Sequence, residues 1–343
     1  MNARRVPGKG PPHARIAIVG EAPGAYEDAQ LKPFVGPAGA VLDQCLHTAG
    51  LTRMDVYLTN VVKERPRNND ISGHFNGKSF TSRGQYCVEE LLKEIDEVNP
   101  NVIVACGKTA MAALTGETAI TKLRGYVLDS VGLQRATKVI PCIHPAAVLY
   151  DRKGGDKGSV STGSASPYIY RYVITADLRK AKSLSETPEL DRPQRQLVYE
   201  FAHVHEVIEW LEYYASQPLV SFDTEVLNYE VSCISFSSDP SIAVSIPIAG
   251  RWSESEECLV WRGIQEVLGS SSVKVGQNLI FDIHFLLTRC GVVTRGSVAD
   301  TMIGHSVVFP ELPKGLGFLG SIYCGTQPYW KDMVKFKNIK EES

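Results

Sequence analysis

The sequence predicts an α/β protein with two domains, each built from helices packed on a β-sheet. Three observations favour this fold class. The chain has 343 residues, enough for two domains of ordinary size. In the first half, short apolar runs alternate with stretches of helical periodicity, which is typical of a parallel sheet covered by helices. A polar segment with two prolines, residues 183–195, separates this half from a second set of strands and helices.

The first half begins with a Pro/Gly-rich stretch, residues 1–14, which we expect to be a disordered leader. Beyond it, the apolar pattern predicts strands and helices in alternation. The expected strands are 16–20, 55–60, 102–106 and 139–143, and the expected helices are 38–49, 88–98 and 108–114. The Gly/Ser-rich residues 153–166 are expected to form a surface loop. We therefore predict a first domain at residues 15–186.

The second half follows a predicted linker at residues 187–196. Its pattern predicts a helix, three strands of which the last two form a hairpin, and two helices flanking a short strand. The expected bounds are 203–215, 219–225, 231–237, 242–248, 254–268, 273–275 and 278–290. We therefore predict a second domain at residues 197–343.

Composition narrows the function classes. The chain is 43% hydrophobic and 22% charged, and no apolar run approaches the roughly 20 residues that a membrane span needs. Since the N terminus also lacks the apolar stretch of a secretory signal, we expect no membrane contact and a cytoplasmic location. The eight cysteines are scattered without a Cys-x-x-Cys pair, which argues against a disulfide framework or a zinc ribbon.

The net charge of -2 conceals an asymmetry, because residues 1–195 carry +6 and residues 196–343 carry -8. A basic half suits contact with nucleic-acid phosphates, and an acidic half suits a metal site built from carboxylates. Ordinary surface charge explains the asymmetry equally well, so the motifs must decide.

Reactive and polar side chains follow three predicted strands of the first domain. Gly20 and Glu21 open a Gly/Pro loop after the first strand, and Phe34 lies in a Pro-Phe-Val-Gly loop. Asn60 ends the second strand and His144 follows the fourth. Because the carboxyl ends of parallel strands meet at one edge of the sheet, we expect these side chains to converge. A ring, an amide, a carboxylate and an imidazole together suit the recognition and release of a nucleobase.

Five motifs of this region resemble, in order and spacing, those of the family 4 uracil-DNA glycosylases. They are G-E-A-P-G-x-x-E-D, P-F-V-G-x-A-G, T-N-V-V-K, N-P-x-V-I-V-A-x-G and H-P-A-A. The resemblance spans residues 15–184 and implies a three-layer fold around a parallel sheet. It implies that Glu21 positions water, that Phe34 stacks on an extruded uracil, that Asn60 bonds the edge of the base, and that His144 stabilises the departing anion.

The sequence departs from this family at its iron-sulfur cluster, which four cysteines hold. It lacks the N-terminal cysteine pair, has Glu64 in place of the third cysteine and keeps only Cys87 at the fourth position. One thiol cannot ligate a cluster, so we expect none.

Gly20 is expected to line the substrate pocket, and nearby basic residues are candidates for contact with DNA phosphates. These candidates are Lys63, Arg65, Arg67, Lys78 and Arg83. A solvated basic loop is the alternative interpretation.

Acidic residues mark a candidate site in the second domain. Asp223 and Glu225 lie two apart on a strand and therefore share a face, which is electrostatically costly unless a cation lies between them. Asn278 and Asp282 lie four apart on one face of a helix. The pattern indicates a divalent metal.

The Asp-x-Glu and Asn-x-x-x-Asp motifs resemble the first two motifs of the DEDD 3′-5′ exonucleases. The resemblance implies a ribonuclease H-like domain with a mixed sheet, and Mg²⁺ or Mn²⁺ as cofactor. It implies that Asp223, Glu225 and Asp282 are catalytic metal ligands and that Asn278 contacts substrate.

Residues 298–332 resemble the proofreading domain of phage-type family A DNA polymerases. The third motif of that domain, Tyr-x-x-x-Asp, has no match, because Tyr329 is followed by Asp332 at a different spacing. We therefore expect an exonuclease domain that is incomplete at its C terminus and weakly active.

The leading hypothesis is a DNA hydrolase that forms the N-terminal region of a phage-type DNA polymerase. Its expected partners are uracil-containing DNA, single-stranded 3′ ends and a downstream polymerase domain. One alternative is a non-catalytic DNA-binding or uracil-sensing module attached to a proofreading domain. The other is a stand-alone repair nuclease.

Overall fold

The computed structural model describes residues 4–149, 167–189, 192 and 194–324. The described residues form two compact units. One contains the chain up to Arg192 together with the residues from Gly317 onward, and the other contains the residues between them. The predicted loop at residues 153–166 lies outside the described residues. No helix in the described part of the chain is long and apolar enough to cross a membrane.

The first unit is built on a five-stranded sheet. Its strands are β1 (Ile16–Gly20), β2 (Val56–Asn60), β3 (Val102–Cys106), β4 (Leu128–Asp129) and β5 (Lys138–Cys142). Their order in the sheet is β2-β1-β3-β5-β4. Strands β2, β1, β3 and β5 run parallel, and β4 pairs antiparallel with β5. The carboxyl ends of β1, β2 and β5 therefore open on the same edge.

Helices cover both faces of this sheet. They are α1 (Ala25–Gln30), α2 (Pro37–Thr48), α3 (Ser82–Val98), α4 (Lys108–Thr115), α5 (Ile120–Leu123) and α6 (Pro167–Leu184). Ile16 and Ile18 of β1 belong to a core with α2 and α6, whereas Ala17 and Val19 belong to a second core with α3 and α4. This alternation produces the three-layer fold that the sequence predicts.

Residues 4–14 are ordered against β2, so the expectation of a disordered leader is wrong for them. Val6 is only 2% exposed, and its N–H donates to the carbonyl of Lys63 at 2.8 Å. Lys9 and Leu58 exchange two backbone hydrogen bonds of 2.8 Å. The reason is that β2 is an edge strand, whose free N–H and C=O groups the segment satisfies.

The second unit is built on a six-stranded mixed sheet. Its strands are β6 (Gln196–Val198), β7 (Leu219–Leu227), β8 (Glu230–Ser237), β9 (Ile242–Pro247), β10 (Val273–Gly276) and β11 (Val298–Asp300). Their order is β11-β10-β7-β8-β9-β6. An antiparallel meander of β7, β8 and β9 is extended by β10 and β11, which run parallel to β7. This is the ribonuclease H-like arrangement that the sequence predicts.

The helices of the second half are α7 (Val204–Ser216), α8 (Glu254–Gly269), α9 (Leu279–Cys290), α10 (Thr301–Val308) and α11 (Leu316–Leu319). A π-helical turn at Gly320–Cys324 follows. The last described residues pack in the first unit, where the hydroxyl of Tyr126 donates to the carbonyl of Gly317 at 2.6 Å. The sequence analysis places these residues in the second domain, whereas in the structure they pack with the first unit. The predicted domain bounds stay predictions.

Replacing Asp177 with Ala is expected to destabilise the first unit by about 3–5 kcal/mol, the usual cost of removing one partner from a buried ion pair. Asp177 and Arg124 are 2.6 Å apart, with side chains only 1% and 7% exposed. Burial raises the pKa of Asp177 although Arg124 opposes the shift. Urea unfolding measured by circular dichroism tests this. Asp129→Ala is the control, because the pair of Asp129 with Arg192 is exposed; equal losses in both variants would contradict the prediction.

Candidate active sites

Three predicted site residues meet at the carboxyl ends of β1 and β2. Gly20 pairs with Asn60 in the parallel register of these strands. A Cβ atom built on Gly20 would lie 2.3 Å from Asn60 Oδ1 and 2.7 Å from Cζ of Phe34. Only glycine permits this approach, because the amide and the ring occupy the space that a Cβ atom would fill.

Phe34 is held in an unusual backbone conformation. Its φ is +54°, in the left-handed region that side chains other than glycine rarely adopt. Arg53 donates to the carbonyl of Phe34 and forms an ion pair of 2.6 Å with Asp43. A Cβ atom on Gly39 would lie 1.9 Å from that same carbonyl oxygen. The surrounding chain therefore fixes the ring, which is 5% exposed.

His144 lies beside Phe34 at the end of β5. The two ring centroids are 6.3 Å apart and the planes differ by 25°. Burial lowers the pKa of His144 to about 4, a shift that the negative charge of Glu27 opposes. The N–H of Ala146 donates to His144 Nδ1 at 3.2 Å. The imidazole is therefore neutral at pH 7 and carries its proton on Nε2.

Glu21 is joined to His144 through the start of α4. The hydroxyl of Thr109 donates to Glu21 Oε2. Two residues earlier, Gly107 has a φ of +92°, and a Cβ atom on it would lie 3.3 Å from Cβ of His144. The short segment 107–109 therefore contacts both Glu21 and His144. Through this segment and the Phe34 ring, the four predicted residues Glu21, Phe34, Asn60 and His144 are connected at one edge of the sheet.

Glu27 is a positioning residue that the sequence prediction missed. Its carboxylate accepts hydrogen bonds from the N–H of Gly24 at 3.1 Å and of Gly36 at 2.8 Å, which ties together the two loops that carry Glu21 and Phe34. Its place three residues after the residue that caps α1 is a capping signal that the sequence contains. The contacts of Thr109 and Arg53 join distant parts of the chain and have no comparable signal.

The prediction that Lys63 contacts DNA is wrong in this structure. Lys63 is 8% exposed, and its ammonium donates to Thr59 Oγ1 and forms an ion pair with Glu94 of α3. Burial lowers the pKa of Lys63, and Glu94 opposes the shift. Because the group is buried and paired with a carboxylate, Lys63 stabilises the packing of α3 on the sheet.

The surroundings of Cys87 do not fit an iron-sulfur cluster. Arg5 donates twice to Glu90, at 2.9 and 2.8 Å, and Arg83 forms an ion pair of 3.1 Å with Glu64. These charged groups surround a single buried thiol, whose pKa burial raises. A cluster needs several thiolates, and the described residues of this region offer one thiol that disfavours ionisation.

In the second unit, Asp223 and Glu225 share the exposed side of β7, alternating with buried Phe222 and Thr224. Asp282 is 4% exposed and accepts hydrogen bonds from the backbone N–H of Thr224, at 3.0 Å, and from its hydroxyl. Burial raises the pKa of Asp282, and the charge of Glu225 adds to the shift.

The predicted set of three metal ligands is not assembled. Within the described ranges, no group of three or more His, Cys, Asp or Glu side chains is placed to hold a metal ion. Asp282 accepts hydrogen bonds from both the backbone N–H and the hydroxyl of Thr224, so its carboxylate is already engaged. It lies close enough to Glu225 for the charge of Glu225 to act on it, and the metal-ligand roles of the three residues stay predictions.

Asn278 precedes α9 with a φ of +62°, and its side chain is exposed. Its N–H donates to Asp300 Oδ1 at 3.2 Å, and the N–H of Leu279 donates to Oδ2 at 2.8 Å. Asp300 also accepts from the first turn of α10. It is a structural cap of two helices, and the predicted substrate contact of Asn278 stays a prediction. Tyr329 and Asp332 lie outside the described residues.

Comparison with known proteins assigns both units. Residues 7–161 match the uracil DNA glycosylase superfamily. A type-4 uracil-DNA glycosylase of Thermotoga maritima is 38% identical over 181 residues, which are 52% of this chain and 81% of that protein. The chain belongs to the uracil-DNA glycosylase superfamily. A type-4 uracil-DNA glycosylase of Archaeoglobus fulgidus is 39% identical over 150 residues, 42% of this chain and 72% of that protein. The resemblance inferred from the motifs is confirmed.

Residues 202–338 of this glycosylase-family chain, which include most of the second unit, match a 3′-5′ exonuclease family. The EXO domain of Aedes aegypti Nibbler is 14% identical and covers 43% of this chain and 76% of its own, with a TM-score of 0.32. A DNA polymerase of Bacillus phage SP01 is 33% identical over 157 residues, 46% of this chain and 16% of that protein. With a glycosylase domain and an exonuclease domain, the chain is a DNA hydrolase.

Proposed function

We propose that the first unit removes uracil from DNA by hydrolysing the bond between the base and the sugar. The observation that carries this proposal is the junction at Gly20, where the missing Cβ brings Asn60 and Phe34 to one backbone position beside His144. A planar base extruded from the helix fits such a junction, because it needs a ring to stack on and an amide to pair with its edge.

Asn60 and Phe34 recognise the base. The amide of Asn60 offers one acceptor and two donor hydrogens, which complements the N3–H and O4 groups on the edge of uracil. Phe34 provides an apolar face for stacking, and its constrained backbone keeps that face in place before DNA binds.

Glu21 and His144 carry out the hydrolysis. Glu21 accepts a proton from a water molecule, whose oxygen bonds to the sugar carbon C1′ as the bond from C1′ to uracil N1 breaks. The electron pair leaves on the base, and the Nε2–H of neutral His144 donates a hydrogen bond to the resulting anion. An imidazole with a low pKa suits this role because it stays a neutral donor throughout.

The imidazole of His144 is expected to titrate near pH 4 and to stay neutral, with its proton on Nε2, at pH 7. Folding lowers the pKa of His144, so the free energy of unfolding decreases as the pH falls from about 6.5, the pKa in the unfolded chain, towards 4. Above a pH of about 6.5, His144 does not change the free energy of unfolding. ¹⁵N-edited NMR measures the pKa of the imidazole and shows which ring nitrogen carries the proton. The signal of His144 is the one that is absent in His144→Asn. A pKa at or above 6.5, or a proton on Nδ1, would contradict the assignment.

We propose that the second unit hydrolyses single-stranded DNA from its 3′ end, slowly, with a divalent cation. Asp223 and Glu225 are the oxygen donors that would hold Mg²⁺ or Mn²⁺, and such an ion supplies an activated water and stabilises the leaving oxygen. Since Asp282 is engaged by Thr224, the ion has few carboxylate ligands, and the activity of this chain is expected to be weak.

We further propose that the chain is the N-terminal region of a phage-type DNA polymerase acting in the host cytoplasm, with the polymerase domain as its partner. The order of the two domains and the similarity to the Bacillus phage SP01 protein support this.

A single-stranded oligonucleotide with one uracil tests the central proposal. Excision leaves a site that alkali cleaves, so the expected result is one alkali-dependent cut at the uracil, in EDTA to suppress the exonuclease. Binding to the uracil strand without any cut would overturn the proposal in favour of a uracil-sensing module.

A further inference from the structure

Two of the five cations that the motifs indicated for phosphate contact are paired with carboxylates, and a third is hydrogen-bonded to an amide. Lys63 is paired with Glu94, Arg83 is paired with Glu64 at 3.1 Å, and Arg65 donates to the side-chain oxygen of Asn69 at 2.9 Å. A side chain committed to an internal partner has less charge to offer to DNA. Lys63 and Arg83 are therefore poorer candidates for phosphate contact than Lys78, which has no carboxylate partner among the described residues.

Lys108 lies between two residues that contact the proposed excision site. It is the first residue of α4, between Gly107, which contacts His144, and Thr109, which donates to Glu21. Its side chain is exposed. An exposed cation on the segment that contacts both proposed catalytic residues is a candidate for contact with the backbone of the flipped nucleotide.

A rigid turn brings a second cation to the same place. The side chain of Asn76 accepts from the N–H groups of Lys78 and Ser79, at 2.9 and 2.8 Å, and the rings of Phe75 and Phe80 flank the turn with centroids 4.8 Å apart. A Cβ atom on Gly77, the residue before Lys78, would lie 3.7 Å from Lys108 Nζ. The turn therefore places the residue before Lys78 close to the ammonium of Lys108.

Neither Lys78 nor Lys108 has a carboxylate partner among the residues that the structure describes. Two cations on neighbouring segments, with no carboxylate partner, favour the binding of an anion. The substrate of this superfamily carries such an anion at every nucleotide.

We propose that Lys108 and Lys78 form a phosphate-binding pair that holds the DNA backbone beside the extruded uracil. This inference rests on the proposed function of the first unit and gives its DNA contact a location. This pair, rather than Lys63 and Arg83, supplies the affinity for the DNA backbone on this side of the pocket.

The test measures the salt dependence of DNA binding for Lys108→Gln, Lys78→Gln and the double variant. The probe is a fluorescent DNA dumbbell with closed ends and one uracil, in EDTA, so that 3′ ends and metal chemistry are absent. Each lost contact is expected to reduce the slope of log K against log salt by about 0.7 to 0.9, and the double variant by about twice that. Lys108→Arg keeps the charge and is expected to keep the slope.

Lys93→Gln is the matched control, because it removes one charge from α3, where Lys93 lies among Glu89, Glu90, Glu94 and Glu97. It is expected to retain the wild-type slope. In excision assays the loss in the pair variants is expected in KM, with kcat changed less. An unchanged slope in the double variant, or an equal change in Lys93→Gln, would overturn the proposal.

The outcomes separate this inference from the proposed function. If wild-type protein excises no uracil, the binding slopes still decide whether the pair contacts phosphate. If excision is normal and the slopes of the pair variants match wild type, only the phosphate pair is refuted.

Discussion

Glu21→Gln is expected to slow uracil excision about 100- to 10,000-fold at saturating DNA, the usual range for removing a general base. Glutamine has the same shape and can still accept the hydrogen bond from Thr109, so the loop should keep its place. What is lost is the basic oxygen that takes the proton of water. Single-turnover excision with excess enzyme measures the effect without interference from product release.

Glu117→Gln provides the control, because it makes the same change of charge at an exposed position just beyond α4. It should excise uracil at the wild-type rate. A Glu21→Gln variant within about threefold of wild type would remove Glu21 from the reaction and leave water activation to another group, since general-base effects are far larger.

Asp223→Ala is expected to reduce metal-dependent hydrolysis of single-stranded DNA to the level seen in EDTA. The wild-type reaction is itself expected to be slow, because two carboxylates on the exposed side of β7 make a weak cation site. Release of labelled nucleotides from the 3′ end, measured across a titration of Mg²⁺ and of Mn²⁺, follows the reaction.

Glu266→Ala removes an exposed carboxylate from α8 and should change neither activity. Uracil excision should also be intact in Asp223→Ala, because the excision residues all lie in the first unit. Rapid degradation that survives Asp223→Ala would show that the hydrolytic site lies elsewhere in the chain.

The sequence predicts that Gly20 and Asn60 lie together because they end adjacent parallel strands, and the roles of the site residues stay predictions. Once β1 and β2 run parallel in register, Gly20 and Asn60 must be neighbours, and their motifs show this before any contact is known. The fold class follows for the same reason, since apolar runs and helical periodicity are local signals.

The failures depend on contacts between distant residues. Lys63 reads as a DNA contact until its partner Glu94, on α3, is brought against it by packing. Asp282 matches its motif, yet its carboxylate accepts two hydrogen bonds from Thr224, which the motif does not show. Whether a side chain is already paired with a residue distant in sequence depends on tertiary structure, which the spacing of motifs does not show.

The N-terminal segment fails for a different reason. Its prolines and glycines are typical of disorder, but they also suit a chain that follows a sheet edge without forming a regular strand. Only the position of β2 at the edge, which is a property of the whole sheet, decides between the two.

That segment has a practical meaning for anyone who shortens this protein. Because Lys9 pairs with Leu58 on the outer edge of β2 and Val6 bonds the chain just beyond it, we expect that trimming the chain back to Arg15 would expose the edge of β2. Such edges recruit strands from other copies, so the first residues guard the glycosylase fold against self-association.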